Sequence, residues 1–481
     1  MSEHQPYIFF FPLMAQGHML PTINMAKLFS SRGIKATLIT THRHAAMFNK
    51  TIEKSLRSGF PISVRAIRFP AAEVGLPEGF ESLDDVTTED TLNKFSAGVA
   101  MLREPTEELI RECRPDCLVS DLFLPWTTDS AAKFGIPRLC FHGSSSFNSS
   151  VAENIKRYKP YKEVASESDP FFLPDFPHQI KLTRAQIPES LIKEDQDQHQ
   201  TDFGKMIQKI SDSVAGCYGV IVNSFYELES DYVNYNKETF GIRAWNIGPL
   251  FLQIDGEESE PSIDKHDCLK WLDSRETNSV VFVCFGSLSH FTAAQLHEIA
   301  KGLESSGQDF IWVVRKCIDE ENREKWFPEN FEERIKGKGL IVTGWAPQVL
   351  ILQHEAVGAF VTHCGWNSVL EGVCSGLPMV TCPLFADQFF NEKLLTDVLK
   401  IGVSAGAHKN SWISSDAVKD EALAKAIEKV MVDEEAVEMR NRAKELSGLA
   451  KKAVENGGSS YLAFWALVEE LRAYGTTRKQ E

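Results

Sequence analysis

The 481-residue sequence lacks the patterns that mark several large classes of protein. It has no Cys-x-x-Cys pair, and its ten cysteines are scattered, so we expect reduced thiols in the cytoplasm rather than a disulfide framework or a zinc site. No apolar run reaches the length of a membrane span. The apolar run at residues 7–13 has no basic leader and is soon broken by polar residues, which favours a core strand over a signal peptide.

Basic residues are outnumbered. Lys and Arg total 51 against 67 Asp and Glu, which gives a net charge of -16. A chain with this charge repels an extended phosphate backbone, so we expect no nucleic-acid partner. The hydrophobic fraction of 43% is that of an ordinary globular protein. Because the length exceeds that of one compact core, the sequence predicts two domains.

Two catalytic fingerprints are missing as well. No G-x-G-x-x-G follows a predicted strand, which argues against hydride transfer with a dinucleotide. Residues 143–147 fail the G-x-S-x-G pattern of a serine hydrolase at their last position. The Asp-Gln-Asp at residues 195–197 has the form of a metal-binding signature, but it lies in a polar run with no strand before it. We therefore interpret it as a solvated loop and expect neither a metal nor a cofactor.

The sequence does contain an alternation of short apolar strands with helical patterns, which is typical of a doubly wound parallel sheet. A first series begins with the strand Tyr7–Phe11, and a second begins at residues 279–285, after an acidic connector at 255–261. We predict an N-terminal domain at 1–250, a linker at 251–265, a C-terminal domain at 266–458, and a last helix at about 459–475.

A histidine and an aspartate follow predicted strands of the first domain. His18 ends a loop at residues 14–18, between the first strand and a helix predicted at 21–29, and Asp121 ends a later strand. Ligands bind at the carboxyl ends of strands in such sheets. An imidazole with a pKa near ~6.5 can take a proton from a hydroxyl, and a carboxylate can orient it. Alternatively, His18 is a hydrogen-bonded turn residue and Asp121 a helix cap.

The most informative stretch spans residues 345–388. A buried strand pattern at 358–362 turns directly into a helical pattern through His363 and Gly365. The first N–H groups of such a helix lack partners and carry the positive end of its dipole, so a diphosphate can bind there. Gly365 allows close approach to the backbone, and His363, Asn367 and Ser368 offer side-chain donors.

The same stretch contains groups suited to the rest of a sugar nucleotide. Glu371 can accept hydrogen bonds from ribose hydroxyls, Trp345 can stack on a base, and Gln348 can read the base edge or the ribose. Asp387 and Gln388 offer two polar groups for adjacent sugar hydroxyls. An ordinary strand and helix with structural Trp, His and Glu residues would explain the apolar positions, but not the coincidence of all the polar ones.

Together these residues resemble the secondary-product glycosyltransferase box of plant family 1 UDP-glycosyltransferases, over the whole stretch 345–388. One departure is Cys382, where the family usually has Trp. The resemblance implies an α/β GT-B fold, in which two Rossmann-like doubly wound domains face each other across a cleft. It also implies transfer of a sugar from a UDP-sugar with inversion, so that an α-linked donor gives a β-glycoside.

The resemblance further implies roles for individual residues. His18 and Asp121 would form the catalytic pair. Gln388 in the last position of the box, together with Trp366, goes with glucose in this family, so UDP-glucose is the predicted donor. The predicted UDP-sugar site comprises Ser144, Ser287, Trp345, Ala346, Gln348, His363, Gly365, Trp366, Asn367, Ser368, Glu371, Asp387 and Gln388.

The acceptor is less well defined by the sequence. Phe123, Phe147 and Phe390 lie near the predicted site and favour a small apolar acceptor such as a flavonoid, another phenolic or a terpenoid, although aromatic residues can also be simple core. The long polar segment 160–200 is predicted to be a loop over the acceptor pocket. We expect a monomeric enzyme. The alternatives are another UDP-sugar as donor, or a non-catalytic sugar-nucleotide-binding protein of the same fold.

Overall fold

The computed structural model describes residues 5–192, 202–254, 265–289, 291–314, 326–411 and 418–478. The chain forms two compact units: Met1–Ser146, Ile192–Ser259 and Ala453–Glu481 make up the first, and Phe147–Leu191 and Glu260–Lys452 the second. The predicted domain boundaries stay a prediction; they differ from these units at 147–191, which we placed in the first domain. The Asp-Gln-Asp at 195–197 and the linker residues 255–264 lie outside the described residues.

The first unit is built on a seven-stranded parallel sheet. Its strands are β1 (Tyr7–Phe11), β2 (Lys35–Thr41), β3 (Ile62–Ile67), β4 (Cys117–Asp121), β5 (Arg138–His142), β8 (Gly219–Val222) and β9 (Ala244–Asn246). They lie in the order β3-β2-β1-β4-β5-β8-β9. Ile8 and Phe10 of β1 enter one core cluster, and Phe9 and Phe11 enter the other. A strand that is apolar at every position is therefore buried on both faces, as in other parallel sheets.

Helices accompany the sheet of this unit, and several of them contribute side chains to the two core clusters. They are α1 (Gln16–Ser31), α2 (His42–Arg57), α3 (Glu89–Met101), α4 (Arg103–Cys113), α5 (Trp126–Lys133), α8 (Asp202–Ala215), α9 (Tyr226–Phe240) and the C-terminal α18 (Ser459–Arg478). The ring of Phe464 in α18 packs edge-on against Phe29, with ring centroids 4.7 Å apart. The Arg32 guanidinium lies 4.4 Å from the centroid of the Phe464 ring. These contacts attach the last helix to the first unit.

The start of α1 differs from the prediction. The helix begins at Gln16 rather than Pro21, so His18 lies in its first turn and not in a loop. A distant side chain is responsible, because the Asp84 carboxylate accepts the backbone N–H of Gln16 at 3.1 Å. Such a cap satisfies one of the donors that every helix start leaves without an internal partner. Local signals of helix starts cannot reveal a cap from so far along the chain.

The second unit contains a six-stranded parallel sheet. Its strands are β10 (Val280–Cys284), β11 (Asp309–Val314), β12 (Gly339–Thr343), β13 (Val357–Thr362), β14 (Met379–Thr381) and β15 (Gly402–Ser404), in the order β12-β11-β10-β13-β14-β15. Its helices are α10 (Lys265–Leu272), α11 (Ala293–Ser305), α12 (Phe331–Arg334), α13 (Gln348–Leu352), α14 (Trp366–Ser375), α15 (Gln388–Lys393), α16 (Asp420–Met431) and α17 (Glu434–Val454). The α/β fold class with two Rossmann-like sheets is confirmed.

The segment predicted as a long polar loop has structure of its own. After α6 (Ser146–Tyr158) it forms an antiparallel hairpin of β6 (Pro170–Phe172) and β7 (Lys181–Thr183), then the short helix α7 (Glu189–Ile192). Phe171 and Leu182, which pair across the hairpin, are both buried. Their burial explains why a segment of polar composition is ordered here.

Each large sheet reverses its strand order at one place. In the first unit the reversal lies between β1 and β4, and in the second between β10 and β13. Chains leaving the carboxyl ends of two such strands diverge to opposite faces, so a crevice opens there for a ligand. His18 and Asp121 belong to the first of these positions, and Ser287 and His363 to the second.

Two expectations drawn from the sequence concern membrane-spanning helices and the state of the cysteines. In the part of the chain that the structure describes, we find no helix that combines the length and the apolar character needed to cross a membrane. Nine cysteines in this part are free thiols. Burial raises the pKa of Cys284 to about 11 and that of Cys140 to about 12, so both remain protonated near neutral pH.

Candidate active site

His18 and Asp121 form a hydrogen-bonded pair in the first unit. The two residues follow adjacent parallel strands, and His18 Nδ1 lies 2.8 Å from Asp121 Oδ2. Asp121 is almost fully buried, at 1% side-chain exposure, whereas the imidazole of His18 is 22% exposed. The pair therefore combines an inaccessible carboxylate with a histidine that solvent can reach.

The surroundings keep Asp121 ionised. Burial alone would raise the pKa of this carboxyl, but the charge and hydrogen bond of His18 and the backbone N–H groups of Phe123 and Leu13 outweigh it, and the pKa is lowered. The N–H of Phe123 donates to Asp121 Oδ1 at 2.9 Å. An ionised carboxylate accepts a hydrogen bond from Nδ1–H, which leaves Nε2 as the basic nitrogen of the neutral ring.

Two further residues flank the imidazole. The Phe123 ring meets His18 edge-on, with centroids 5.7 Å apart, and is 37% exposed. A Cβ built on Gly143 would lie 3.7 Å from His18 Nδ1, so the backbone of this glycine lies against the ring. Ser144, a predicted donor-site residue, is the next residue along the chain and belongs to the same unit.

A buried guanidinium holds the strand that carries Asp121. Arg138, at the start of β5, donates from Nη2 to the backbone oxygen of Asp121 at 2.9 Å and from Nε to Ser120 Oγ at 2.8 Å. It also donates from Nη1 to Thr128 Oγ1 at 2.9 Å and to Ser213 Oγ at 2.6 Å. Sequence reasoning missed both Arg138 and Gly143, because neither stands in a recognisable motif.

In the second unit, His363 packs against two glycine backbones. A Cβ on Gly286 would lie 2.6 Å from His363 Nε2, and one on Gly365 would lie 2.4 Å from the same atom. Gly286 also has a φ of +76°, which glycine adopts without strain. Burial lowers the pKa of His363 to about 4, so this ring is neutral at physiological pH. Ser287 follows Gly286 at the end of β10 and shares this position in the sheet.

A second group of predicted residues meets between α13 and α14. Gln348 Nε2 donates to Glu371 Oε2 at 2.6 Å and to Ser368 Oγ at 3.2 Å. Gly365 is the N-cap of α14, so Trp366 and Asn367 occupy its first turn. Trp345 and Ala346 precede Pro347, the N-cap of α13, and Ala346 is buried, as is Trp366. The arrangement brings an amide, a hydroxyl and a carboxylate close to the positive end of a helix.

Asp387 and Gln388 lie at the start of α15. Gln388 Oε1 accepts the backbone N–H groups of Leu384 at 2.8 Å and Phe385 at 3.1 Å. Asn391 Nδ2 donates to Asp387 Oδ2 at 3.1 Å. The side-chain oxygen of Gln388 therefore holds the preceding loop. Its amide nitrogen takes part in neither of these two hydrogen bonds.

The structure thus separates the predicted residues into two groups. His18, Asp121, Phe123 and Ser144 belong to the first unit, and the other predicted UDP-sugar residues belong to the second. Phe147 and Phe390 are 0% and 1% exposed, and Phe147 packs against Phe176 with ring centroids 6.0 Å apart. Such burial is that of core residues and does not support direct contact with an acceptor.

Comparison with known proteins places this chain among sugar transferases. A family profile described as UDP-glucoronosyl and UDP-glucosyl transferase matches residues 255–451. Anthocyanin 3'-O-beta-glucosyltransferase of Gentiana triflora is 57% identical over 98% of this chain and 99% of its own length. Scopoletin glucosyltransferase of Nicotiana tabacum is 54% identical over the same shares of the two chains.

Solved structures agree with these sequence relatives. UGT73P12 of Glycyrrhiza uralensis, in complex with glycyrrhetinic acid 3-O-monoglucuronide, superposes with a TM-score of 0.91 at 39% identity, covering 99% of this chain and 98% of that one. UGT71G1 of Medicago truncatula, in complex with UDP-glucose, gives a TM-score of 0.80 at 26% identity, covering 98% and 100%. The chain belongs to the plant UDP-glycosyltransferase family, whose members are enzymes, and has the GT-B fold of that family.

Proposed function

We propose that this chain transfers glucose from UDP-glucose to a hydroxyl group of a small plant metabolite and gives a β-glucoside. The observation that carries the proposal is the hydrogen bond of 2.8 Å between His18 and the buried Asp121. A sugar-nucleotide-binding protein without catalytic activity has no need of a partly exposed imidazole paired with an ionised carboxylate. The pair therefore favours an enzyme over a binding protein.

In the proposed reaction His18 is the general base. Its Nε2 takes the proton of the acceptor hydroxyl while the oxygen attacks C1 of the glucose. The bond between C1 and the β-phosphate oxygen breaks as the new C–O bond forms, and UDP leaves with the electron pair. Asp121 stabilises the imidazolium that results, since its carboxylate already faces Nδ1. Attack from the face opposite UDP converts the α-linked donor into a β-glucoside.

The second unit is proposed to hold UDP-glucose. The N-terminus of α14 and the neutral ring of His363 would meet the diphosphate, with Ser287 at the end of β10. Glu371, with Gln348 beside it, would accept the ribose hydroxyls. Asp387 and the amide nitrogen of Gln388 would bind the glucose hydroxyls. Glucose is supported by Gln388 and by the relatives that are named as glucosyltransferases.

The proposed acceptor is a small aromatic or terpenoid alcohol. Two relatives are named for anthocyanin and scopoletin, and a third, from Fragaria ananassa, is named UDP-glucose flavonoid 3-O-glucosyltransferase 7. Phe123 supports an apolar acceptor, because its exposed ring lies beside His18. We further propose that the enzyme acts without a metal or another cofactor, as a monomer, in the cytoplasm. The free thiols of the nine described cysteines support a reducing compartment.

A matrix of donors and acceptors tests this function. Purified protein is incubated with UDP-glucose, UDP-galactose or UDP-glucuronate and with phenolic, flavonoid or terpenoid acceptors, in the presence of EDTA. We expect UDP-glucose to give the highest kcat/KM with at least one acceptor class. NMR of the product should show a β-linkage.

A different experimental result would refute each part of the proposal. A preference for galactose would refute the choice of donor, and loss of turnover in EDTA would refute the metal-independent mechanism. Tight UDP-glucose binding without transfer to any acceptor would favour a binding protein. Size-exclusion chromatography with light scattering tests the monomer.

A further inference from the structure

The loop at residues 383–387 carries part of the proposed glucose site, and its conformation is not one that it would adopt alone. It connects β14 with α15 and ends at Asp387. Ala386 has a φ of +54°, in the left-handed region. Residues with a Cβ are disfavoured in that region, so the conformation persists only where surrounding contacts fix it.

Helix α15 supplies one set of these contacts. Gln388 Oε1 accepts two backbone N–H groups of the loop, and Asn391 Nδ2 donates to Asp387 Oδ2 and, at 2.9 Å, to the backbone oxygen of Cys364. These bonds hold the N–H side of the loop and the Asp387 side chain. Backbone N–H groups of α15 also donate to the carbonyl groups of Phe385 and Asp387, which leaves those of Leu384 and Ala386 to another partner.

Asn410 is that partner, and it comes from a separate segment. Its Nδ2 donates to the backbone oxygen of Ala386 at 2.9 Å, and the next residue, Ser411, donates its N–H to the oxygen of Leu384 at 2.8 Å. Both bonds reach loop carbonyls that α15 does not bind. The residue in left-handed conformation is therefore held through its own carbonyl group.

The same asparagine also binds the turn after the β6–β7 hairpin. Its backbone N–H donates to the oxygen of Ala185 at 2.8 Å, and Nδ2 reaches the oxygen of Gln186 at 3.3 Å. A primary amide carries two N–H donors on one nitrogen, so it can bridge two carbonyl groups. Aspartate has the same shape, but its ionised side chain offers only hydrogen-bond acceptors. The side chain of alanine offers neither donors nor acceptors. Among the described residues, Asn410 thus links the loop at 383–387 to the segment that we predict to lie near the acceptor.

We propose that Asn410 is a positioning residue that sets the sugar specificity of the enzyme by holding the 383–387 loop against the turn at 184–186. The inference rests on the proposed function, since it assumes that Asp387 and Gln388 bind the donor sugar. Asn410 itself touches no reacting atom in this scheme. Its loss should weaken the recognition of glucose and leave that of UDP intact, because its hydrogen bonds go to Ala185, Gln186 and Ala386 and to none of the proposed diphosphate or ribose residues.

Binding measurements separate this role from a general effect on folding. We compare Asn410→Asp, Asn410→Ala and the control Lys409→Ala, which changes the exposed neighbour. Calorimetry gives Kd for UDP and for UDP-glucose, and kinetics gives the ratio of kcat/KM for UDP-glucose to that for UDP-galactose. We expect Kd for UDP to change less than about twofold in every variant. In the two Asn410 variants, Kd for UDP-glucose should rise about three- to tenfold and the glucose preference should fall, with the larger effect in Asn410→Asp.

Three results would overturn the inference. Equal weakening of UDP and UDP-glucose would mean that Asn410 only supports the fold of the whole nucleotide site. An unchanged glucose preference in both Asn410 variants would mean that the loop keeps its conformation without this residue. An equal effect of Lys409→Ala would mean that the segment, and not the amide, is responsible. A wild-type protein that binds neither UDP nor UDP-glucose would instead refute the proposed function. The milder Asn410→Ala keeps the test available if Asn410→Asp does not fold.

Discussion

His18 and His363 both follow a strand at the point where the strand order of their own sheet reverses. In the first unit the ring is partly exposed and bonded to an ionised carboxylate, Asp121. In the second unit the ring is packed against Gly286 and Gly365, and burial lowers the pKa of His363 to about 4. His18 follows β1 and His363 follows β13, so the two histidines lie on opposite sides of the reversal in their sheets. The first is suited to act as a base and the second as a neutral hydrogen-bonding group.

Two buried carboxyl groups, Asp121 in the first unit and Glu392 in the second, differ in the direction in which their pKa is shifted. Asp121 has His18 as a partner, which lowers its pKa despite complete burial. Glu392, in α15, has only hydroxyl donors, from Thr381 at 2.6 Å and Ser404 at 3.1 Å. Burial raises the pKa of Glu392 to about 7 against these hydrogen bonds. A buried carboxyl thus stays ionised where its hydrogen-bond partner can carry positive charge, and tends to be protonated where its hydrogen-bond partners are neutral hydroxyl groups.

The largest effect is expected from removing the base. His18→Ala should lower kcat by roughly 10²–10⁴-fold, because proton removal from the acceptor is lost. Asp121→Asn should also lower kcat strongly, since an amide N–H facing Nδ1 favours the tautomer with the proton on Nε2. Kd for UDP, measured by calorimetry, should stay the same in both variants because the proposed diphosphate and ribose residues belong to the other unit.

The second unit offers a matched control for that experiment. His354 Nε2 lies 3.2 Å from Asp273 Oδ1, so it is another histidine paired with an aspartate, away from the reversal of strand order. His354→Ala should leave kcat unchanged. A loss of turnover in His354→Ala as large as in His18→Ala would show that the position in the sheet does not matter. Unchanged turnover in His18→Ala would remove His18 from the mechanism.

The next effect concerns stability and pH. The carboxyl of Glu392 titrates at about 7 in the folded chain and near 4.5 when unfolded, so the folded state binds more protons between these values. Its contribution to the free energy of unfolding is therefore fully present below about pH 4.5 and is lost as pH rises through 7. Glu392→Gln removes this dependence, while its amide oxygen can still accept from Thr381 or Ser404. Relative to the wild type, the variant should gain up to about 3 kcal/mol between pH 4.5 and pH 8.

Urea unfolding at a series of pH values measures that gain. The control is Glu445→Gln, which makes the same chemical change at an exposed position of α17. Its stability relative to the wild type should not vary with pH. If the free energy of unfolding of Glu392→Gln differed from that of the wild type by the same amount at every pH, the carboxyl of Glu392 would not be neutral in the folded chain. The contrast with Asp121 would then be wrong.

The parts of the structure that could be predicted from the sequence are those determined by residues close together in the chain. The ends of β1 and β4 agree with the prediction, because Pro12, which has no backbone N–H, follows β1, and the apolar run of β4 ends at the polar Ser120 and Asp121. The residues at 345–388 could be found because most of the nucleotide groups are contiguous in the chain. The start of α1, by contrast, depends on Asp84, far along the sequence. Gly143, Arg138 and Asn410 are common residues in no motif, and only their distant contacts give them a role.

The smallest effect is expected where a glycine allows His363 to pack. In Gly286→Ala the new Cβ would lie 2.6 Å from the imidazole, and the residue has a φ of +76°. The displaced ring should weaken UDP binding by about 1–2 kcal/mol, or roughly tenfold in Kd. Gly337→Ala is the control, since Gly337 has a similar φ of +84° in the same unit but no atom within 4 Å of its added Cβ. Calorimetry with UDP should therefore separate the two variants, because both carry backbone strain and only Gly286→Ala disturbs His363. If they bind UDP equally well, the packing of His363 does not contribute to nucleotide binding, and its resemblance to the position of His18 has no functional meaning.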